Sequence, residues 1–266
     1  MLSHITPVLL TFNEEQNINR TLSRLAWAKD IVLVDSGSTD GTLAAVAKFP
    51  NVRVFNRRFD SHGNQWRFAV EETQIETNWI LRLDADYQIS EGLIAEMAQL
   101  DPNTPVSAYR IGFDYAVFSH HLLSSLYPPN TILLRRGCFS VRDKGHTEAW
   151  EVNGLIATLS SRVMHDDWKS TKQWLTSQAR YMQRELDWMR VSKGGLTRWL
   201  RLRPPLMSIA VFLYCVFGKG LLLNGRAGMF YALQRMVAEG VLSLMVLEEQ
   251  LRDDAISSAR HDSEKR

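Results

Sequence analysis

Cysteine is almost absent: Cys138 and Cys215 are the only two in 266 residues. They lie far apart without metal-type spacing, which excludes a disulfide framework and fits free thiols in a reducing compartment. A secretory leader is also missing from the expected pattern. There is no basic opening segment, and Val8-Leu9-Leu10 is too short an apolar core, so a cytoplasmic chain is expected. Net charge is scarce at +2, which gives no case for nucleic-acid binding. No glycine-rich phosphate loop follows the first apolar run. Asn13-Glu14-Glu15 stands there instead, which argues against a nucleotidyltransferase. No internal repeat or low-complexity segment is present.

What the chain does have is acid at the ends of strand-like runs. Trp79-Ile80-Leu81-Arg82-Leu83 ends in Asp84-Ala85-Asp86, and carboxylates at i and i+2 leave a strand on one side, as oxygen ligands to a divalent cation must. Upstream, Ile31-Val32-Leu33-Val34 ends in the turn Asp35-Ser36-Gly37-Ser38-Thr39-Asp40-Gly41-Thr42. An acid pair alone often caps a turn. Two buried-type strands that both deliver acids point instead to a cleft for a nucleotide diphosphate and its metal.

The surrounding pattern alternates strand and helix. Strands are expected at 5–12, 31–34, 52–55 and 79–83, and helices after Asn13, after a cap at Ser38 or Thr39, from about 65 to 74 and from 90 to 100. This spacing predicts an α/β fold with a doubly wound, mainly parallel sheet, whose ligands bind at the carboxyl ends of the strands. Further strands are expected near 107–111, 131–134 and 155–159, and a helix over 170–191.

The C-terminal part reads differently. Arg190, Lys193, Arg198, Arg201 and Arg203 fall within 14 residues that hold no acid. Pro204-Pro205 then precedes twelve uncharged, apolar residues, Leu206 to Phe217. At ~1.5 Å per residue these fall short of a bilayer core of ~30 Å. A second helix is expected from Gly228 to Leu251. Basic residues directly beside apolar helix favour a hairpin lying on an anionic membrane surface over one buried against the sheet, and both over a true span. The expected domains are therefore 1–200, a helical hairpin over 201–252, and a polar, disordered tail over 253–266.

The motifs together resemble family 2 of the GT-A glycosyltransferases, and within it the lipopolysaccharide core β-1,4-glucosyltransferase branch. The resemblance rests on Leu10 to Glu15, Val34 to Thr42, Gly63-Asn64-Gln65-Trp66-Arg67 and Asn78 to Asp86, and more loosely on Gly220 to Gly228. It implies a GT-A-like fold and a UDP-sugar donor lying across the strand ends, with Thr11, Asn13, Glu14, Asp35, Gln65, Arg67 and Asp84 as its binding residues. Arg82 is a further candidate for the phosphates or base. Asp86 would be the main ligand to Mg²⁺ or Mn²⁺, with Asp84 and His165 beside it. The base that deprotonates the acceptor hydroxyl would be Glu148, in Gly145-His146-Thr147-Glu148, with Asp143 as the competing carboxylate. One departure stands out: Tyr87 occupies the place after the acid pair where the family usually carries another acid.

The activity that the resemblance implies is metal-dependent, inverting transfer of a glucose-like hexose to a lipid-linked saccharide such as lipopolysaccharide core, on the inner face of the cell membrane. Two alternatives remain at the level of sequence. One is transfer to a polyprenyl phosphate, which needs no strong base; the other is an inactive scaffold that binds nucleotide sugars.

Overall fold

The computed structural model describes residues 1–144, 147–191 and 195–264, and they form two compact units, Met1–Lys169 and Ser170–Arg266. In chain order the first unit contains β1 (Ile5–Thr11), α1 (Ile18–Ser23), β2 (Ile31–Asp35), α2 (Thr42–Val46), β3 (Val52–Asn56), α3 (His62–Glu71), β4 (Trp79–Asp84), β5 (Tyr87–Ile89) and α4 (Glu91–Gln99). There follow β6 (Val106–Val117), β7 (His120–His121), β8 (Asn130–Arg135), β9 (Phe139–Lys144), β10 (Thr147–Val152) and β11 (Leu155–Asp167).

One sheet with strand order β3-β2-β1-β4-β8-β6-β11-β5 organises this unit, with β7 paired to β6. β3, β2, β1 and β4 are mutually parallel. β8 runs antiparallel to both β4 and β6, so β6 regains the direction of β4, and β11 lies parallel to β6. The carboxyl ends of β1, β2, β4, β6 and β11 therefore share one edge. That edge is where an open α/β sheet offers a ligand crevice.

Strand alternation sorts the core into two layers. Leu9, Leu33, Leu81 and Leu83 face Ile18 and Leu22 of α1, Val46 of α2 and Leu93 and Met97 of α4. Val8, Val32, Val34 and Ile80 face Trp66, Ala69 and Val70 of α3, and β9 and β10, a separate two-stranded ribbon, add Val141 and Trp150 to that side. Ser61 and Ser90 cap α3 and α4 by accepting from Asn64 N and Leu93 N, both at 3.1 Å.

Several expectations need correction. α1 begins at Ile18, not directly after Asn13, whose φ of +56° turns the chain first. Neither Ser38 nor Thr39 caps α2, which starts after Gly41. Ser38 Oγ instead accepts Asn13 N, and Asp40 takes Thr42 N. β6 and β11 are far longer than the stretches 107–111 and 155–159, because each pairs along most of its length with the other.

The second unit is helical: α5 (Thr171–Val191), α6 (Leu196–Arg201), α7 (Leu206–Leu213) continuing into a π turn over Tyr214–Gly218, a 3₁₀ turn over Leu221–Asn224, and α8 (Gly225–Glu264). The division thus falls at Lys169, not near 200. The reason is that α5 buries Leu186 and Met189 against Leu242 and Val246 of α8. The expected disordered tail also needs revision, since α8 runs on to Glu264. No proline or glycine interrupts 241–264, and Arg252 pairs with Glu248 one turn back at 2.6 Å,. Gly228 permits the close approach at the start of α8, where an added Cβ would strike the Leu221 carbonyl.

Arg201 ties this unit together. Its guanidinium meets Glu185 of α5 at 2.5 Å and Glu239 of α8 at 2.6 Å, with all three side chains largely withdrawn from solvent. The Leu221–Ser258 stretch is long and apolar enough to cross a membrane, yet Glu239 within it is spent on this ion triad. Removing the arginine would take away the cation that these two carboxylates share. Arg201→Ala should cost the helical unit about 2–3 kcal/mol, less than the loss of a fully buried pair because some solvent reaches the site. A melt followed by circular dichroism checks this, and Glu185→Gln/Glu239→Gln in the same background should recover part of the loss.

Candidate active site

The first two strand ends are joined by a saturated hydrogen-bond system. Asp35 at the end of β2 is fully buried. Its Oδ1 accepts Thr11 Oγ1 at 3.1 Å and Ser38 Oγ at 2.5 Å, and its Oδ2 accepts Gly37 N at 2.9 Å and Ser38 N at 2.8 Å. Asn13 accepts Thr39 N at 2.9 Å. Gln65 on α3 is also buried, donating to Ser36 Oγ and the Arg57 carbonyl and accepting from Arg57. Thr11, Asn13, Asp35 and Gln65 thus shape one loop wall, and the polar atoms of Asp35 and Gln65 are turned into it. Arg67 stands half-buried on α3.

The acid pair lies at the floor of the cleft. Asp84 is exposed to solvent at the end of β4. Surrounding protein raises its pKa, the Asp86 charge adds to that, Arg82 opposes it, and Tyr87 hydrogen-bonds to it. Asp86 Oδ2 meets His165 Nε2 of β11 at 3.0 Å. Burial alone would raise Asp86, but His165 overrides it and holds the carboxyl near 2, while the imidazole pKa is raised in return. Tyr87, Tyr115 and Tyr127 surround His165 with ring centroids at 5.4, 4.7 and 4.7 Å, and the Tyr87 and Tyr127 hydroxyls bond to each other. Tyr87 therefore supplies a hydroxyl to Asp84, where an acid would have added a further negative charge.

Asp86 Oδ1 and His165 Nδ1 are buried without a hydrogen-bond partner. An orphaned carboxylate oxygen beside a histidine suits a cation. No cluster of three or more metal-ligating side chains exists among the described residues. Two protein ligands completed by phosphate oxygens and water is nevertheless a common arrangement for Mg²⁺.

Sequence reasoning missed a latch between α1 and the end of β11. Asn17 is fully buried. It donates to Glu14 Oε2 at 3.0 Å and Asp167 Oδ1 at 2.9 Å, and accepts Arg20 Nη2 at 2.8 Å and Trp168 N at 2.9 Å. Lys169 Nζ sits 2.6 Å from Glu14 Oε1. Burial pushes Glu14 up to about 7 against the pull of Lys169, with Asp86 adding to the rise. For Lys169 burial works the other way, yet Glu14, Asp86 and Asp167 together raise its pKa. Arg20 closes on Asp166 at 2.7 Å. The signal was present in Asp166-Asp167-Trp168-Lys169, a charge cluster directly after His165 that only the topology connects to residues 14–20.

Glu148 on β10 accepts Arg82 Nη1 at 2.5 Å and Trp150 Nε1 at 3.3 Å, both through Oε1. Arg82 is itself buried and lies over the Trp150 and Trp66 rings at 4.8 and 5.6 Å. Arg82 is thus neither a surface arginine nor a free phosphate ligand. The charge of Glu148 still reaches Asp84 and adds to the rise in its pKa. Asp143 lies opposite Glu148 in the ribbon register, and its side chain is outside the described residues, as are Gly145 and His146.

Over 93 residues the chain is 30% identical to the lipopolysaccharide core biosynthesis glycosyltransferase LpsC of Rhizobium meliloti (strain 1021), covering 34% of each protein. It is 30% identical over 97 residues to the uncharacterized glycosyltransferase RT0209 of Rickettsia typhi (strain ATCC VR-144 / Wilmington), covering 36% of this chain and 32% of that one. These matches span about a third of the length of the curated relatives. The crystal structure of S. aureus TarS shares the fold, with a TM-score of 0.50 at 15% identity over 90% of this chain and 54% of that one. The profile of glycosyl transferase family 2 matches residues 7–146, more than half of the sequence, and the chain belongs to that family.

Proposed function

We propose that the protein is an inverting glycosyltransferase that moves a hexose from a nucleotide diphosphate sugar, a UDP-sugar, to a lipid-linked saccharide of the lipopolysaccharide core type. The observation that carries this is the unpartnered Asp86 Oδ1 beside His165 and Asp84, at the edge where six strands end in the same direction. Loop walls from β1 and β2 frame that edge, with Glu14 and Asn13 nearest the donor and Arg67 on α3 as a flanking cation. Bound Mg²⁺ or Mn²⁺ at Asp86 and His165, with Asp84 close by, would offset the charge that develops on the departing diphosphate. Lys169 places a second positive charge against the same cluster.

Glu148 is the proposed base. Its Oε1 is anchored by Arg82 and Trp150, and Oε2 is the oxygen that would take the proton of the acceptor hydroxyl as that oxygen attacks the anomeric carbon opposite the leaving group. The Arg82 contact also favours a second reading, since it occupies Oε1 of the proposed base. A polyprenyl phosphate acceptor, already anionic, would need none.

The helical unit supports residence on the membrane. Residues 188–238 hold eight basic residues and no acid, and Trp199, Ile209, Leu213, Phe217 and Leu223 stand exposed there. The Arg201 triad, which occupies Glu239 of α8, favours a helix resting at the interface over one that crosses it. We therefore place the enzyme on the cytoplasmic face of an anionic membrane.

Asp86→Ala should lower turnover of UDP-glucose, or whichever sugar nucleotide is used, by about 100-fold or more while the melting curve stays native-like. Retention of more than a tenth of the activity, with metal still required, would contradict the ligand assignment. Glu148→Gln should cost about 100-fold or more in transfer to a saccharide hydroxyl, and survival of activity toward polyprenyl phosphate alone would decide for the second reading. The protein should sediment with phosphatidylglycerol vesicles and be partly released by salt, since each basic residue near the surface contributes about 1 kcal/mol. A protein that stays in the supernatant with such vesicles would end the membrane placement.

A further inference from the structure

The turn between β6 and β7 holds a bulky side chain in a backbone region that asparagine or glycine usually fills,. Phe118 and Ser119 have φ of +48° and +63°, the pair of positive values that a two-residue type I′ hairpin needs. Asn-Gly is the ordinary solution for such a turn, because a bulky side chain clashes with its own backbone in the left-handed region. Here the first position is a phenylalanine whose ring keeps 39% of its surface in solvent. Burial of the ring therefore does not explain the choice.

The strained turn is held by one carboxylate. Asp166, only 3% exposed, accepts Ser119 N at 3.1 Å and Ser119 Oγ at 3.2 Å. The same Asp166 accepts Trp168 Nε1 at 3.0 Å and pairs with Arg20 at 2.7 Å. Arg20 in turn lies 4.7 Å over the Trp168 ring. Trp168 keeps 37% of its surface exposed and meets Phe118 edge-to-face, with centroids 6.1 Å apart. A single buried acid thus fixes two partly exposed aromatic rings relative to each other. Strain that the surroundings over-determine in this way is typical of ligand contacts.

The pair also lies where a second substrate would stand. β6 and β11 are parallel with Tyr115 opposite His165 and Val117 opposite Asp167, so Phe118 and Trp168 extend just beyond the strand ends. His165, three residues before Trp168, holds Asp86. The rings therefore border the acid pair next to the segment that follows β1, where Asn17 accepts Trp168 N and Arg20 lies over the Trp168 ring.

The geometry points to a Phe118–Trp168 ledge that binds the acceptor saccharide by stacking a pyranose ring. A pyranose turns a row of C–H bonds outward on one face, and these carry slight positive charge that the negative face of an aromatic ring attracts. The ledge would orient the sugar so that one hydroxyl points at the donor over Asp86. This inference rests on the transferase reading and assigns its acceptor side.

The test uses Phe118→Asn and Phe118→Gly in the full-length protein, with deacylated lipopolysaccharide core oligosaccharide as the probe. Both substitutions suit positive φ, so each variant should melt within a few degrees of the wild-type temperature. Both should nevertheless raise the acceptor KM about tenfold without a matching rise in donor KM. Direct binding of the oligosaccharide, followed by tryptophan fluorescence, should weaken in step. Acceptor KM within twofold of wild type in both variants, in an enzyme that turns over donor, would overturn the ledge and leave the transferase standing. Phe118-dependent saccharide binding by a wild-type protein that turns over no sugar nucleotide would do the reverse.

Discussion

Carboxylates crowded at one sheet edge set the terms for the rest of this unit. Glu14, Asp84, Asp86, Asp167 and Glu148 come from four separate stretches of the chain, and water alone does not stabilise so many like charges close together. Four of them are met by a cationic or hydrogen-bonding side chain from elsewhere: Lys169 for Glu14, His165 for Asp86, Arg82 for Glu148 and Asn17 for Asp167. These pairings join residues up to 155 positions apart. They require β11 to return to the edge that β1 and β4 define, and the long parallel pairing of β6 and β11 brings it there.

The compensation is incomplete at one place. Asp86 Oδ1 has no partner, and the Asp84 pKa is raised from its ordinary value by its surroundings and by Asp86. A folded protein that satisfies Asp35 with four donors a few residues away has the means to satisfy Asp86 too. The residual negative potential is therefore best understood as a site for a cation that arrives with its substrate. Tyr87 belongs to the same logic, because a third acid there would raise the cost of the unliganded state, whereas a hydroxyl bonded to Asp84 lowers it.

Much of this was legible in the sequence. Strand-then-acid patterns placed Asp35, Asp84 and Asp86 on one edge, and the alternation of apolar runs gave the parallel half of the sheet. What was not legible depended on long-range pairing. Nothing local marks Asn17 as the hub of a latch with Trp168 and Asp167. Arg82, at a position that reads as an ordinary strand residue, is buried only because the β9–β10 ribbon brings Glu148 and Trp150 over it. Phe118 and Ser119 carry no turn signature at all, since the left-handed backbone there is imposed by Asp166. The division at Lys169 was missed for a similar reason: α5 has an apolar stripe that suits either unit, and its burial against α8 decides the matter.

The central claim is that the Asp84–Asp86–His165 cluster binds a nucleotide diphosphate through a shared divalent cation. Titration calorimetry of UDP into the full-length protein tests it most directly, with Mn²⁺ or Mg²⁺ present and with metal removed by chelation. Binding that requires the metal, and that disappears in Asp86→Ala, is the predicted result. Equally tight binding of UDP without any divalent cation would contradict the account.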